Sequence, residues 1–331
     1  MSQHAIPTRT FLKKGDGEAS FPADARAFIS LKPSDIFGVV DPYMPRSAVA
    51  NNSLYEVHTN PFDGSIYYDG QLPGQSRLTL AVGSYELELT GSNLVVRFRA
   101  NTEDQLRQVM AVLARTIPAF LSIRLGDFVW IASCSVKVGD VTYEMPLAYR
   151  TEPPLAIVIE EERDRHIEQA LRDAFAVPAG SDRIMIAFYY WRQARRLRKT
   201  QPFTVSLLPE VVLNLCKAVE IVLNQTHTIA RTMAEEFGLE SEFIESRIIP
   251  LLIIRNKYDV GHASTATLDG REIKLLSDFA DSAFLHVFRL LQDLLDRVAS
   301  GSITLRPIGN TKSKRSEFFE LLEGYLSSEK T

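Results

Sequence analysis

Ile254-Arg255-Asn256-Lys257-Tyr258-Asp259-Val260-Gly261-His262 is the stretch on which the reading of this chain turns. An apolar run, Phe243 to Ile254, leads into it, with Ile244, Ile248 and Leu251 at i, i+4 and i+7. That spacing predicts a helix with one buried face, and the next positions on the face are Arg255, Tyr258 and His262. Seven residues make close to two turns, so Arg255 and His262 fall nearly in line if the helix persists. Gly261 is placed to end it. A guanidinium and an imidazole on a buried stripe cost free energy unless they have partners or a task. The pair alone is equally what a helix-terminal arginine in an ion pair and a surface histidine would give.

Working outward, 331 residues suffice for two domains with separate cores. Apolar residues at 45% and charged residues at 24% are ordinary for a globular protein. A net charge of −4 argues against a generic polyanion binder but leaves room for a local basic groove. No apolar run in the sequence reaches the length of a membrane span, and Met1 to Ala19 lacks the apolar core of a signal peptide. Cys134 and Cys216 fall in different halves with apolar flanks, which suits two reduced core thiols. The expectation is a cytoplasmic protein with no membrane association.

In the first half, Pro7, Pro22, Pro33, Pro42 and Pro45 predict a tail and wrapping segment over 1–53 without regular elements. A strand-rich α+β unit is expected over 54–159. Strand signals begin near Leu54. Ser65-Tyr68, Leu78-Val82, Tyr85-Thr90, Leu94-Ala100, Phe128-Val138 and Val141-Tyr149 read as strands, broken by glycine-containing turns. Leu155-Ile159 is expected to close the same sheet. Glu86, Glu88, Arg97 and Arg99 share the polar face of a hairpin, which points to cross-strand pairing on a solvated surface. Thr102 and Gln105 match a capping box, and Leu106, Met110, Leu113, Ile117 and Phe120 form the stripe of the helix that follows. This half holds no glycine-rich phosphate loop, zinc motif or cysteine cage.

The composition changes at the charge run Glu160-Glu161-Glu162-Arg163-Asp164-Arg165, read as a solvated helix start and a domain boundary. From 160 to 300 nearly every signal is helical. Ile167, Leu171 and Phe175 mark one helix. Ile184, Phe188 and Trp191 mark the next, with Tyr189 and Tyr190 beside them. It ends in Arg192, Arg195, Arg196, Arg198 and Lys199. These suit a helix C-terminus; the functional reading is a set of phosphate-backbone contacts to RNA. Val212, Leu215, Val219 and Val222 line a third helix. Glu220 lies beside that stripe, within reach of Lys217 or, across the helices, of Arg255. Glu272 to Ala299 is a long amphipathic helix, and His286 lies next to its stripe. The segment 301–331 reads as a polar tail with a short helix, Glu317-Leu326.

The aromatic-rich helix Phe188-Tyr189-Tyr190-Trp191, the helix with the interior acid Glu220, and the helix that ends in Arg-Asn-x5-His together resemble a HEPN domain over about Glu160 to Ala299. The resemblance implies an all-α antiparallel helical bundle behind the α+β half. It also implies a homodimer through the helices that joins two motifs in one cleft, and a metal-independent ribonuclease of the toxin or antiviral-defence kind. Arg255, Asn256 and His262 match that family's catalytic signature. Glu220, Tyr258 and Asp259 are the supporting residues.

The residue types suit the chemistry. RNA supplies its own nucleophile, the 2′-hydroxyl beside the scissile phosphate. Histidine titrates near neutrality, so His262 fits a general base or general acid. Arg255 offers a planar fork of donors to a phosphate that gains charge in the transition state. Asn256 orients His262 or binds a phosphate oxygen, and Glu220 holds Arg255. The expected products are a 2′,3′-cyclic phosphate and a 5′-hydroxyl, formed without metal or cofactor. The other reading is a catalytically silent helical module that binds a nucleotide or a protein in a defence or regulatory complex. In either case the N-terminal domain is expected to take a trigger or a protein partner.

Overall fold

The computed structural model describes residues 12–14, 17–39, 47–50, 53–59, 66–69, 74–145, 156–158, 160–177, 181–200, 207–258 and 269–305. Its architecture is mixed α+β. A seven-stranded antiparallel sheet comprises β1 (Leu12–Lys14), β2 (Ala23–Lys32), β6 (Arg77–Val82), β7 (Tyr85–Thr90), β8 (Asn93–Ala100), β9 (Trp130–Val138) and β10 (Val141–Met145), in the order β1-β10-β9-β2-β8-β7-β6. A second, four-stranded sheet comprises β3 (Ser47–Ala50), β4 (Ser53–Thr59), β5 (Ile66–Asp69) and β11 (Ala156–Val158).

The hairpins follow from local chemistry. Thr90 pairs with Asn93 and Val138 with Val141, so each turn has two residues and opens on a glycine, Gly91 or Gly139, at positive φ. Gly91 is also required by close approach, since a Cβ there would meet Val39 Cγ2 at 2.4 Å. The strands of the β7-β8 hairpin lie where the alternating pattern puts them.

Two expectations for the first half are corrected. The segment read as a tail carries β2, a ten-residue strand paired on both sides, at the centre of the sheet. Pro22 and Pro33 stand just outside its ends, so they delimit the strand rather than interrupt it. The overlooked signal is the period-two pattern of Ala25, Ala27, Ile29 and Leu31, all buried. Leu155-Ile159 does contain a strand, but β11 does not close the main sheet. It pairs parallel with β3 in the second one.

The inner face of the main sheet is covered by α1 (Glu103–Leu125), which packs on β2, β8 and β9. Thr102 Oγ1 accepts from the Gln105 N–H at 3.1 Å, and Gln105 Oε1 accepts from the Asn101 N–H at 2.7 Å. The five expected stripe residues are all buried. Among the described residues α1 alone is long and apolar enough to cross a membrane, and here it lies between the sheet and other helices.

Behind α1 stand α2 (Glu160–Ala176), α3 (Asp182–Thr200), α4 (Leu208–Leu223), α5 (His227–Glu236), the single turn α6 (Ser241–Phe243), α7 (Ile249–Tyr258) and α8 (Gly270–Ala299). Helix α2 packs on α1 and reaches β6, while α3, α4 and α8 pack on one another. The buried side chains of sheet and helices form one contiguous core. Arg124 of α1 stitches three helices together. Its guanidinium donates to Asp173 of α2 at 2.8 and 2.6 Å and to Asp296 of α8 at 2.6 Å. The composition predicts a solvated charge run at the start of α2, and the structure corrects this in part. Arg163 is buried and donates to the Gly74 carbonyl at 2.8 Å, and Ser76 Oγ donates to Asp164 at 2.9 Å. A buried guanidinium needs such partners, and composition alone does not show them.

Candidate active site

Between α6 and α7 the chain makes a π-turn, Ile244–Ile248, in which the Ile249 N–H donates to the Ile244 carbonyl five residues back. Pro250 follows directly. It has no N–H to donate and its ring crowds the carbonyl four residues earlier, so the widened turn relieves what a regular helix would not tolerate. One extra residue in the turn rotates everything after it by about 100°. Ile244, Ile248, Leu251 and Leu252 are buried, and the helix continues through Arg255 to Tyr258.

Arg255 meets Glu220 of α4. Nε lies 2.8 Å from Oε1, with 31% of the arginine side chain and 14% of the glutamate side chain accessible. The distance is that of an ion pair, and Oε1 is buried with no hydrogen-bond partner among the described residues. Burial raises the Glu220 pKa, while Arg255 and Lys217 pull it back down. Lys217 itself sits over the Tyr190 ring at 5.6 Å. One turn before Glu220, Cys216 Sγ donates to the Leu251 carbonyl at 3.5 Å, and burial pushes its thiol up to about 12. Arg183 of α3 donates to the Ile221 carbonyl at 2.8 Å and pins the end of α4.

Of the expected site residues, the structure brings together the catalytic candidate Arg255 and the supporting Glu220. The side chains of Asn256 and Tyr258, and all of Asp259 and His262, lie outside the described residues. Among the described residues no three His, Cys, Asp or Glu side chains group as a metal site.

The arginines of α3 make specific contacts inside the fold. Arg192 donates to the Val129 carbonyl at 2.7 Å and lies over the Phe128 ring at 5.0 Å, and burial pushes its pKa down to about 10. Arg195 lies 3.7 Å from Asp127 and over Phe284 at 5.1 Å. Arg198 donates to Asp281 of α8 at 2.7 Å. Arg196 is half-buried, and the Lys199 side chain lies outside the described residues. The aromatic residues of α3 divide by face: Phe188 and Trp191 are fully buried, and Tyr189 is exposed. His286 stacks on Phe243 at 6.1 Å and contacts the Ser282 carbonyl through Nδ1 at 2.7 Å. Sequence reasoning missed the π-turn, for which Pro250 inside an apolar helical run was the available signal.

No protein-family model, curated protein or solved structure gives a significant match to this chain.

Proposed function

We propose that the chain is a metal-independent endoribonuclease of the HEPN type, acting as a toxin or antiviral-defence effector. The observation that carries the reading is the Arg255–Glu220 pair. It sets a partly accessible guanidinium on α7, about two turns from that helix's start, and holds it with an acid from a second helix. In the proposed reaction His262 takes the proton from a ribose 2′-hydroxyl. The oxygen attacks the adjacent phosphorus, and the 5′-oxygen leaves with a proton from a second acid. Arg255 neutralises the charge that develops on the phosphoryl oxygens. In the proposed homodimer, the second acid is the other copy's histidine at the same position. Asn256, Tyr258 and Asp259 orient the histidine, the N-terminal half receives the trigger or protein partner, and the protein works in the cytoplasm.

One observation favours a second reading, a silent helical module. An ion pair such as Arg255–Glu220 also serves to fasten α7 to α4 with no catalytic role. Cleavage of a mixed RNA pool in EDTA separates the two. The wild type is expected to leave cyclic-phosphate ends, and Arg255→Ala and His262→Ala are expected to abolish cleavage in protein that still unfolds cooperatively above the assay temperature. Equal cleavage by all three proteins would sink the site. A wild type that stays inert with cell extract added would leave the silent module.

A further inference from the structure

The solvent face of the main sheet carries a groove of about 660 Å³, remote in sequence from the Arg255 site. Four basic side chains line it, Arg26, Arg97, Arg99 and Lys137, against two acidic ones, Asp24 and Glu86. The pairing register puts Lys137 of β9, Arg26 of β2 and Arg97 of β8 abreast on three neighbouring strands. At the usual strand spacing that row is about 10 Å long. Like charges side by side across a sheet are destabilising unless something neutralises them. Arg97 has Glu88 at 2.8 Å, and Arg99 has Asp24 at 4.0 Å. Among the described residues neither Arg26 nor Lys137 has an ion-pair partner, and both are exposed. Phe28 stands on the same face, two residues along β2 from Arg26, and the Lys137 ammonium lies 5.9 Å from its ring centre.

A locally basic row on a chain of net charge −4, with an accessible aromatic ring beside it, has the chemistry of a single-stranded polyanion site. We propose that this sheet groove binds single-stranded nucleic acid, with successive phosphates along Lys137, Arg26 and Arg97 and one base on Phe28. An unpaired strand fits better than a duplex, because Phe28 offers its surface to a base that is not already stacked. The site stands independently of the ribonuclease reading, since it uses neither α4 nor α7.

The test is fluorescence anisotropy on the full chain with two labelled probes, 2′-O-methyl oligouridylate and oligothymidylate, across a salt series. Neither probe has a 2′-hydroxyl, so binding is read whether or not the protein cleaves RNA. With the three cations of the row engaged, the logarithm of the binding constant should fall with the logarithm of salt at a slope of about −2. Arg26→Gln with Lys137→Gln should remove about two-thirds of that slope, two of the three phosphate contacts, at an unchanged unfolding midpoint. Phe28→Leu keeps the surface apolar and should weaken binding about tenfold without changing the slope. Binding of either probe with this pattern supports the proposal, and preference for one sugar names the natural strand. Absence of binding, or binding untouched by the groove variants, overturns it. So does loss on Arg255→Ala alone, which would place the strand at the other site. Equal displacement by inorganic phosphate at matched phosphate concentration would also overturn it, in favour of a single-anion site.

Discussion

The Arg255–Glu220 pair supports a quantitative expectation. At 2.8 Å and an effective dielectric near 20, the two charges attract by about 6 kcal/mol before desolvation is counted. The net effect is much smaller, because both groups leave water to meet. Removing one member of a fully buried pair costs about 3–5 kcal/mol, mostly from the charge left behind. Glu220 keeps 14% of its side chain in contact with solvent, which places Arg255→Met at about 2–3 kcal/mol of lost stability. Glu220→Leu removes the acid that faces the more accessible guanidinium and should cost about 1–2 kcal/mol. The double variant, Glu220→Leu with Arg255→Met, removes both charges and should lose no more than about 1 kcal/mol, a coupling of about 2–5 kcal/mol. The assay is urea unfolding at neutral pH with the slope of the transition compared across the set. A second readout comes from pH. Burial holds the Glu220 pKa above its ordinary 4.5, so the folded state resists ionisation there. Glu220 therefore costs nothing below that ordinary value, and its penalty grows as pH rises through the folded-state value. Arg255→Met should deepen this loss, and Glu220→Gln should remove it. If the single losses simply add in the double variant, or if Arg255→Met costs less than about 0.5 kcal/mol, the two groups are not coupled and the site argument fails.

Two further outcomes test the core. Arg124 and Asp173, with 9% and 2% of their side chains accessible, make a deeper version of the same pair. Arg124→Met should cost about 3–5 kcal/mol in urea unfolding, and adding Asp173→Leu should restore most of it. Cys134 and Cys216 are both buried with thiols raised to about 12, so a thiol-specific reagent at mildly alkaline pH should label neither in the native protein and both in denaturant. Rapid native labelling of either would show that its side of the core opens.

Much of the architecture can be read from local patterns. The β7-β8 hairpin, α1 with its capping threonine, and α8 with the Asp269–Glu272 capping box rest on short-range alternation, stripes and caps. So does the apolar run into Arg255. Strand β2 carries the same local alternation, masked in the sequence by the prolines that flank it. The site was half legible. The interior acid Glu220 and the arginine were visible as residue types, but two partners were open to the acid.

What the chain's own sequence determines is therefore the set of amphipathic elements and their ends, because periodicity and caps act within a few residues. Tertiary structure decides the pairings between distant segments. It sets β2 between β8 and β9, and it sends β11 to the second sheet. It buries Arg163 against Gly74, and it turns Arg192, Arg195 and Arg198 toward Val129, Asp127 and Asp281. It selects Arg255 for Glu220, helped by a π-turn at Pro250 that rotates α7. A charged side chain has many partners within reach of its own helix. Which one it takes depends on the desolvation it suffers, and only the packed neighbours set that cost.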